Sequence, residues 1–106
     1  MHLKILSWNV RGLNAFDKRM AVKAFIKGVR PNVICLQETK VEEVERGFVR
    51  DIWGGSFVEW KDLPARGASG GVLVCWDSRV VVCEDFEIGG YLFIYGFEFS
   101  YYASLV

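Results

Sequence analysis

The sequence predicts an α/β fold, a mixed β-sheet with helices on one face, and three observations carry that prediction. Up to residue 53, short apolar runs of strand length alternate with longer segments whose apolar residues recur at helical spacing, the succession that βα units produce. Beyond residue 54 the apolar runs follow one another with only Gly, Pro, Asp and Ser between them, as antiparallel strands do. No repeat, low-complexity run or linker interrupts residues 1–106, so they read as one domain.

Leu3 to Asn9 forms the first strand, mostly apolar and ending on a polar residue. Arg11-Gly12-Leu13-Asn14 is a turn, with Asn14 as the N-cap of a helix running to about Arg30. Phe16, Met20 and Ala24, then Val22, Phe25, Ile26 and Val29, give that helix a broad apolar face. Arg19, Lys23, Lys27 and Arg30 recur three or four apart as a cationic stripe with Lys18 beside it, either a solvated face or a phosphate contact. Pro31 stops the helix, because it lacks an amide hydrogen and disfavours helical backbone at Arg30.

Val33-Ile34-Cys35-Leu36 is a strand apolar on both faces, and it delivers Gln37 and Glu38 at its C-terminal end. Open α/β sheets bind their ligands at that end, which makes Glu38 the first candidate for chemistry; a solvated strand-end carboxylate is the plainer account. Two strands joined through a helix are expected to be parallel, so Asn9 and Glu38 become neighbours on one edge. Asn9 either caps a turn there or touches a substrate.

Thr39 to Glu42 has capping-box spacing, and Val41, Val44, Phe48 and Ile52 recur helically, which predicts a second helix from about Lys40 to Trp53 ended by Gly54-Gly55. Ser56 to Trp60 is a short strand and Lys61 to Gly71 a loop; its glycines permit close approach of backbone to backbone, and it lacks the end of a Walker phosphate cradle. Val72 to Trp76 is a strand closed by an Asp77-Ser78 turn, and Val80 to Glu84 and Tyr91 to about Tyr102 continue as a meander.

Composition narrows the function. Thirteen basic and thirteen acidic residues cancel, so the molecule as a whole offers no field to attract a polyanion, and a nucleic-acid surface must be local. Cys35, Cys75 and Cys83 lie in apolar runs without C-x-x-C spacing and read as reduced core side chains of an intracellular protein. Met1 to Leu6 is too short for a secretory signal, so the protein is expected not to be secreted. Ile88 to Val106 is apolar but contains Glu98 and many Gly, Tyr and Phe residues, which suits strands rather than a membrane span.

Ile5-Leu6-Ser7-Trp8-Asn9-Val10-Arg11-Gly12-Leu13, followed by Pro31-Asn32-Val33-Ile34-Cys35-Leu36-Gln37-Glu38-Thr39-Lys40, resembles the opening of the endonuclease/exonuclease/phosphatase superfamily. The spelling is most similar to the endonuclease domain of plant non-LTR (LINE-type) retrotransposons, as is Ser69-Gly70-Gly71-Val72-Leu73-Val74-Cys75-Trp76-Asp77-Ser78. Tyr102-Ala103-Ser104 resembles the start of the next motif. The resemblance implies a four-layer α/β sandwich built from two similar halves and a metal-dependent phosphodiesterase activity on DNA. By that match Glu38 ligates Mg²⁺, or Mn²⁺ in its place. Asn9 is the active-site asparagine, and Tyr102 contacts the substrate phosphate.

The family's later motifs, an Asp and Asn pair and a terminal Asp-His pair, have no counterpart here; His2 precedes the first strand, and Leu105 stands where the retrotransposon pattern has a proline. The resemblance therefore covers the N-terminal half of the domain, half of the sandwich. From this half we expect an inactive or very weak enzyme, the alternative being a catalytically dead fragment that only binds nucleic acid or protein. A composition 52% hydrophobic and 15% aromatic, with helices enough for one face, implies a bare apolar sheet face through which the chain self-associates. DNA is the expected partner, no membrane contact is expected, and the expected location is inside the cell, the nucleus being one option.

Overall fold

A computed structural model describes residues 4–63, 65, 70–87, 91–94 and 97–100, with residues 84–87, 91–94 and 97–100 described by their backbone. The elements run β1 (Ile5–Asn9), α1 (Phe16–Val29), β2 (Val33–Gln37), α2 (Arg46–Trp53), β3 (Val58–Leu63), β4 (Val72–Asp77), β5 (Cys83–Glu87), β6 (Tyr91–Ile94) and β7 (Phe97–Ser100). They form a mixed sheet in the order β1-β2-β4-β3 and a separate antiparallel meander β5-β6-β7. The meander was expected; its separation from the first sheet was not, since consecutive strands alone do not say where one sheet stops.

The parallel pair is as expected, in register from Ile5 opposite Val33 to Asn9 opposite Gln37. All five residues of β2 are buried, because the strand lies between β1 and β4 and is covered on both faces. Alternation along the strands sends Leu6, Trp8, Ile34, Leu36, Leu73 and Cys75 to one face. There they join Val22 and Ile26 of α1 and Val49 and Ile52 of α2 in a single core, so both helices do lie on one face. Trp8 and Phe25 meet across this layer, ring centroids 4.8 Å apart and tilted by 54°.

The other face carries Val33, Cys35, Val74 and Trp76, none more than 5% exposed. Among the described residues this face is therefore covered rather than bare, contrary to the expectation from composition. After β4 the chain turns back through amides of Val80 and Val81 bonded to the Asp77 carbonyl (3.1 and 2.9 Å). Val81 packs on this face, with Val80 and Cys83 against it.

Several local expectations need correction. Asn14 does not cap α1: Ala15 precedes the first turn without a side-chain cap, and the Asn14 amide instead donates to the Lys40 carbonyl at 2.7 Å. Phe16, expected on the apolar face, is 65% exposed. The second helix begins at Arg46 rather than near Lys40. Thr39 and Lys40 do not open a helix: Lys40 has a left-handed φ of 57°, and the carbonyls of Thr39, Lys40 and Val41, which a helix would use, accept instead from Leu13, Asn14 and Ala65. The Thr39 hydroxyl is buried in the turn, 3.5 Å from the Val41 amide, and forms no capping box. β3 begins two residues late and continues through Leu63, since Lys61, Asp62 and Leu63 pair with Val74, Leu73 and Val72. The strand expected from Val80 to Glu84 is instead β5, because the turn after β4 uses Val80 and Val81. No helix among the described residues is long and apolar enough to cross a membrane.

The three cysteines are thiols, as expected. Burial pushes Cys35 up to about 12, the Ser7 hydroxyl drawing it partly back. Burial, reinforced by Cys35, pushes Cys75 up as well. The thiolate is the reactive form. Cys35 and Cys75 are therefore expected to resist a thiol reagent at pH 8 in the native chain and to react once it is unfolded, which timed alkylation with mass spectrometry reads. Rapid labelling of either in the native chain would contradict this packing. Leu36→Ala, at a fully buried central position, is expected to cost about 2–5 kcal/mol in denaturant unfolding.

Candidate active site at the C-terminal edge of the parallel pair

Beyond Asn9 and Gln37 the β1-β2 pairing does not end. The amides of Val10, Gly12 and Leu13 bond to the carbonyls of Gln37, Glu38 and Thr39 at 3.0, 2.7 and 2.8 Å. On the other side Thr39 and Lys40 bond to Gly71 and Gly70. Residues 38–40 are thus held between two loops, one following β1 and one preceding β4. Val10 and Leu13, both fully buried, anchor the first loop in the core.

This backbone is held in an unusual conformation. Arg11, Glu38 and Lys40 have φ of 53°, 53° and 57°, the left-handed region, and three of the four non-glycine residues with positive φ among those described lie here. Each such residue costs on the order of 1–2 kcal/mol, so the hydrogen bonds on both sides must over-determine the geometry. Its effect is to turn the Glu38 side chain out of the strand direction and across the sheet edge.

Asn9 and Glu38, neighbours only by inference from the sequence, touch. The Asn9 amide Nδ2 donates to Glu38 Oε2. Its Oδ1 accepts the Arg11 amide at 3.1 Å. Only one orientation of the amide satisfies a carboxylate on one side and a backbone donor on the other, so Asn9 is both the turn cap and the partner of the candidate ligand. Of the two alternatives left open by the sequence, the turn cap is observed.

Gly70 and Gly71 roof this pair. A Cβ at Gly70 would lie 3.1 Å from Glu38 Cα and Cγ, and one at Gly71 would lie 2.7 Å from Thr39 Oγ1 and 3.0 Å from the Ala65 nitrogen. Gly71 also has φ of +83°, which a side chain would strain. The close approach expected of these glycines is therefore real, Gly70 against Glu38 and Gly71 against Thr39 and Ala65.

Asn9, Gln37, Glu38, Leu63, Gly70, Gly71 and Val72 line an open cleft of about 360 Å³. A larger cleft of about 510 Å³ shares no residue with it. That cleft lies at the opposite end of the strands, near Asn32 and Asp77; size alone would favour it, but it lacks the paired carboxylate and amide that give the smaller cleft its chemistry. Gln37 was not singled out as a site residue from sequence. Strand alternation puts it on the face of Asn9, two positions from buried Cys35, a signal that was present but had no chemical motif to raise it. Tyr102 lies outside the described residues. No group of three or more His, Cys, Asp or Glu side chains that could hold a metal occurs among the described residues.

Comparison with known proteins adds a family. A model described as the Endonuclease/Exonuclease/phosphatase family matches residues 6–99. An exodeoxyribonuclease of Bacillus subtilis (strain 168) is 42% identical over 41 residues, which cover 39% of this chain and 16% of that protein.

Substituting the glycine roof tests the site without touching its polar groups. Gly71→Ala is expected to destabilise the chain by about 1–3 kcal/mol in denaturant unfolding, through its clash and positive φ. Gly70→Ala should cost less, because part of its contact is with the Glu38 side chain, which can move. Equal stability of Gly71→Ala and the parent would rule out this packing.

Proposed function

The chain belongs to the Endonuclease/Exonuclease/phosphatase family, and from that premise we propose that its Asn9–Glu38 edge is the metal-binding part of a phosphodiesterase site acting on DNA. One observation carries the reading. Glu38 is turned into a cleft by a strained backbone and its carboxylate is aimed by the Asn9 amide, an arrangement with no evident use in packing.

The residues suit the ion the family implies. Mg²⁺ is commonly held by one or two carboxylates, keeps several waters and takes a further ligand from a substrate phosphate. A cleft with one carboxylate, flanked by the amide side chains of Asn9 and Gln37, supplies such a set, and Mn²⁺ accepts the same oxygen ligands. When bound, the ion neutralises charge developing on the phosphoryl oxygens. Glu38 provides the negative ligand. Asn9 spends one amide hydrogen on Glu38, fixing the carboxylate, and has a second to offer a substrate oxygen. Gly70 leaves the space above Glu38 that a side chain would fill. Tyr102 is assigned to the substrate phosphate on the same reading.

The spelling Asn9-Val10-Arg11-Gly12-Leu13 supports a DNA endonuclease of the non-LTR retrotransposon kind, and the exodeoxyribonuclease similarity supports a DNA substrate. On this reading the protein works inside the cell, in the nucleus where such DNA lies. Among the described residues the cleft's lining contains no histidine and no second carboxylate to serve as a general base beside Glu38. Hydrolysis by this chain is accordingly expected to be weak. The same fact favours a second reading, binding without cleavage.

Nicking of supercoiled DNA by the 106-residue chain, with Mg²⁺ or with EDTA, separates the two. We expect slow Mg²⁺-dependent nicking, abolished by Glu38→Ala and reduced about 10–100-fold by Asn9→Ala, the range for removing a group that orients a metal ligand. Nicking that persists in Glu38→Ala would sink the assignment, and DNA binding with no nicking by the parent would leave the second reading.

A further inference from the structure

The cationic stripe of α1 divides in two. Arg19 folds back over the start of the helix, its Nη1 donating to the Leu13 and Asn14 carbonyls at 3.0 and 2.6 Å. Lys23 pairs with Asp51 at 3.2 Å. Lys27 and Arg30 have no carboxylate partner among the described residues. Both line the larger cleft of about 510 Å³, together with Phe57 and Arg79.

The charge balance of that cleft is positive. Asp77 is the carboxylate in its described lining, and it is already held by Arg79, with Nη2 to Oδ2 at 3.1 Å and Nε to Oδ1 at 3.2 Å. The Arg79 guanidinium also lies 4.6 Å from the centroid of the Phe57 ring, and Phe57 is 54% exposed at the cleft's edge.

Cations in the last turn of a helix favourably offset its dipole, which accounts for charge at Lys27. It favours charge at Arg30 too, but does not account for a non-glycine residue there. That residue is the C-cap of α1, at φ 52° and ψ 61°, a left-handed position that glycine ordinarily fills and an arginine occupies only with strain. Strain retained where a simpler residue would remove it points to use. An exposed aromatic ring beside unpaired cations is the combination that takes a base and its phosphate together.

We propose that this cleft binds a nucleotide phosphate, Lys27 and Arg30 holding the phosphate and Phe57 stacking the base. A free nucleotide and an unpaired nucleic-acid strand share this chemistry. The site has no residue in common with the Asn9–Glu38 cleft, so it goes beyond the phosphodiesterase reading and does not need it.

The test is fluorescence anisotropy of a labelled single-stranded oligodeoxynucleotide with the full chain in EDTA, with AMP as competitor and thermal melts of each variant. Arg30→Gly is expected to weaken binding roughly tenfold or more, the range for a hydrogen bond to a charged group. It should also lower the salt dependence by about one ion. At the same time it should melt at or above the parent's temperature, because glycine fits the left-handed cap. Lys27→Gln should lower affinity and salt dependence in the same way, and Phe57→Ser should weaken binding about fivefold or more. Displacement by AMP would identify a single nucleotide as the ligand, and resistance to AMP an extended strand. The proposal is overturned if the parent does not bind, or if Lys27→Gln and Phe57→Ser bind as the parent does. Should Arg30→Gly melt lower than the parent, Lys27→Gln and Phe57→Ser decide the outcome.

Discussion

Residues 38–40 are held from both sides by backbone hydrogen bonds, and most of what is distinctive about this molecule depends on that constraint. The loop after β1 satisfies one side of the segment and the loop before β4 the other. A chain free to choose would not place Glu38 and Lys40 in the left-handed region, since each costs on the order of 1–2 kcal/mol. Several hydrogen bonds formed within a buried framework can impose it. What results is a carboxylate whose direction is set by the sheet rather than by its own rotamer preferences, which is how a rigid scaffold preorganises a site.

The mixed sheet with its helices on one face was legible, because it rests on long signals. Apolar runs, helical spacing and Pro31 are read over many residues, and the five buried positions of β2 follow from an uninterrupted apolar run. The proximity of Asn9 and Glu38 was legible too, because two parallel strands joined through a helix leave little choice of edge. The events at single residues were not. Asn14 and Thr39 both have the side chains of helix caps, yet each is drawn into a loop-to-loop contact with a distant residue. Local propensity cannot register competition from a partner far away in sequence. The left-handed backbone at Glu38 is invisible for the same reason, as nothing in Gln37-Glu38-Thr39 requests it.

Composition misled in one instructive respect. An apolar content suited to two covered sheet faces was taken to mean one face left bare, whereas the chain after β4 folds back and Val81 helps close that face. A fraction of apolar residues measures how much surface needs covering. It does not say from where the cover comes.

The same locking has a consequence for how this site can vary. Asn9, Glu38, Thr39, Gly70 and Gly71 come from three separated stretches of chain yet are all in mutual contact or one step from it. Substitutions among residues so arranged do not add; coupling energies in such groups run to about 0.5–3 kcal/mol of either sign. A side chain at position 70 presses on residue 38, so what is tolerated at one depends on the other, and a changed amide at 9 alters what 38 tolerates. The group therefore drifts in step or not at all, so its variation among descendants is set by pairs and triplets of residues rather than by positions taken singly.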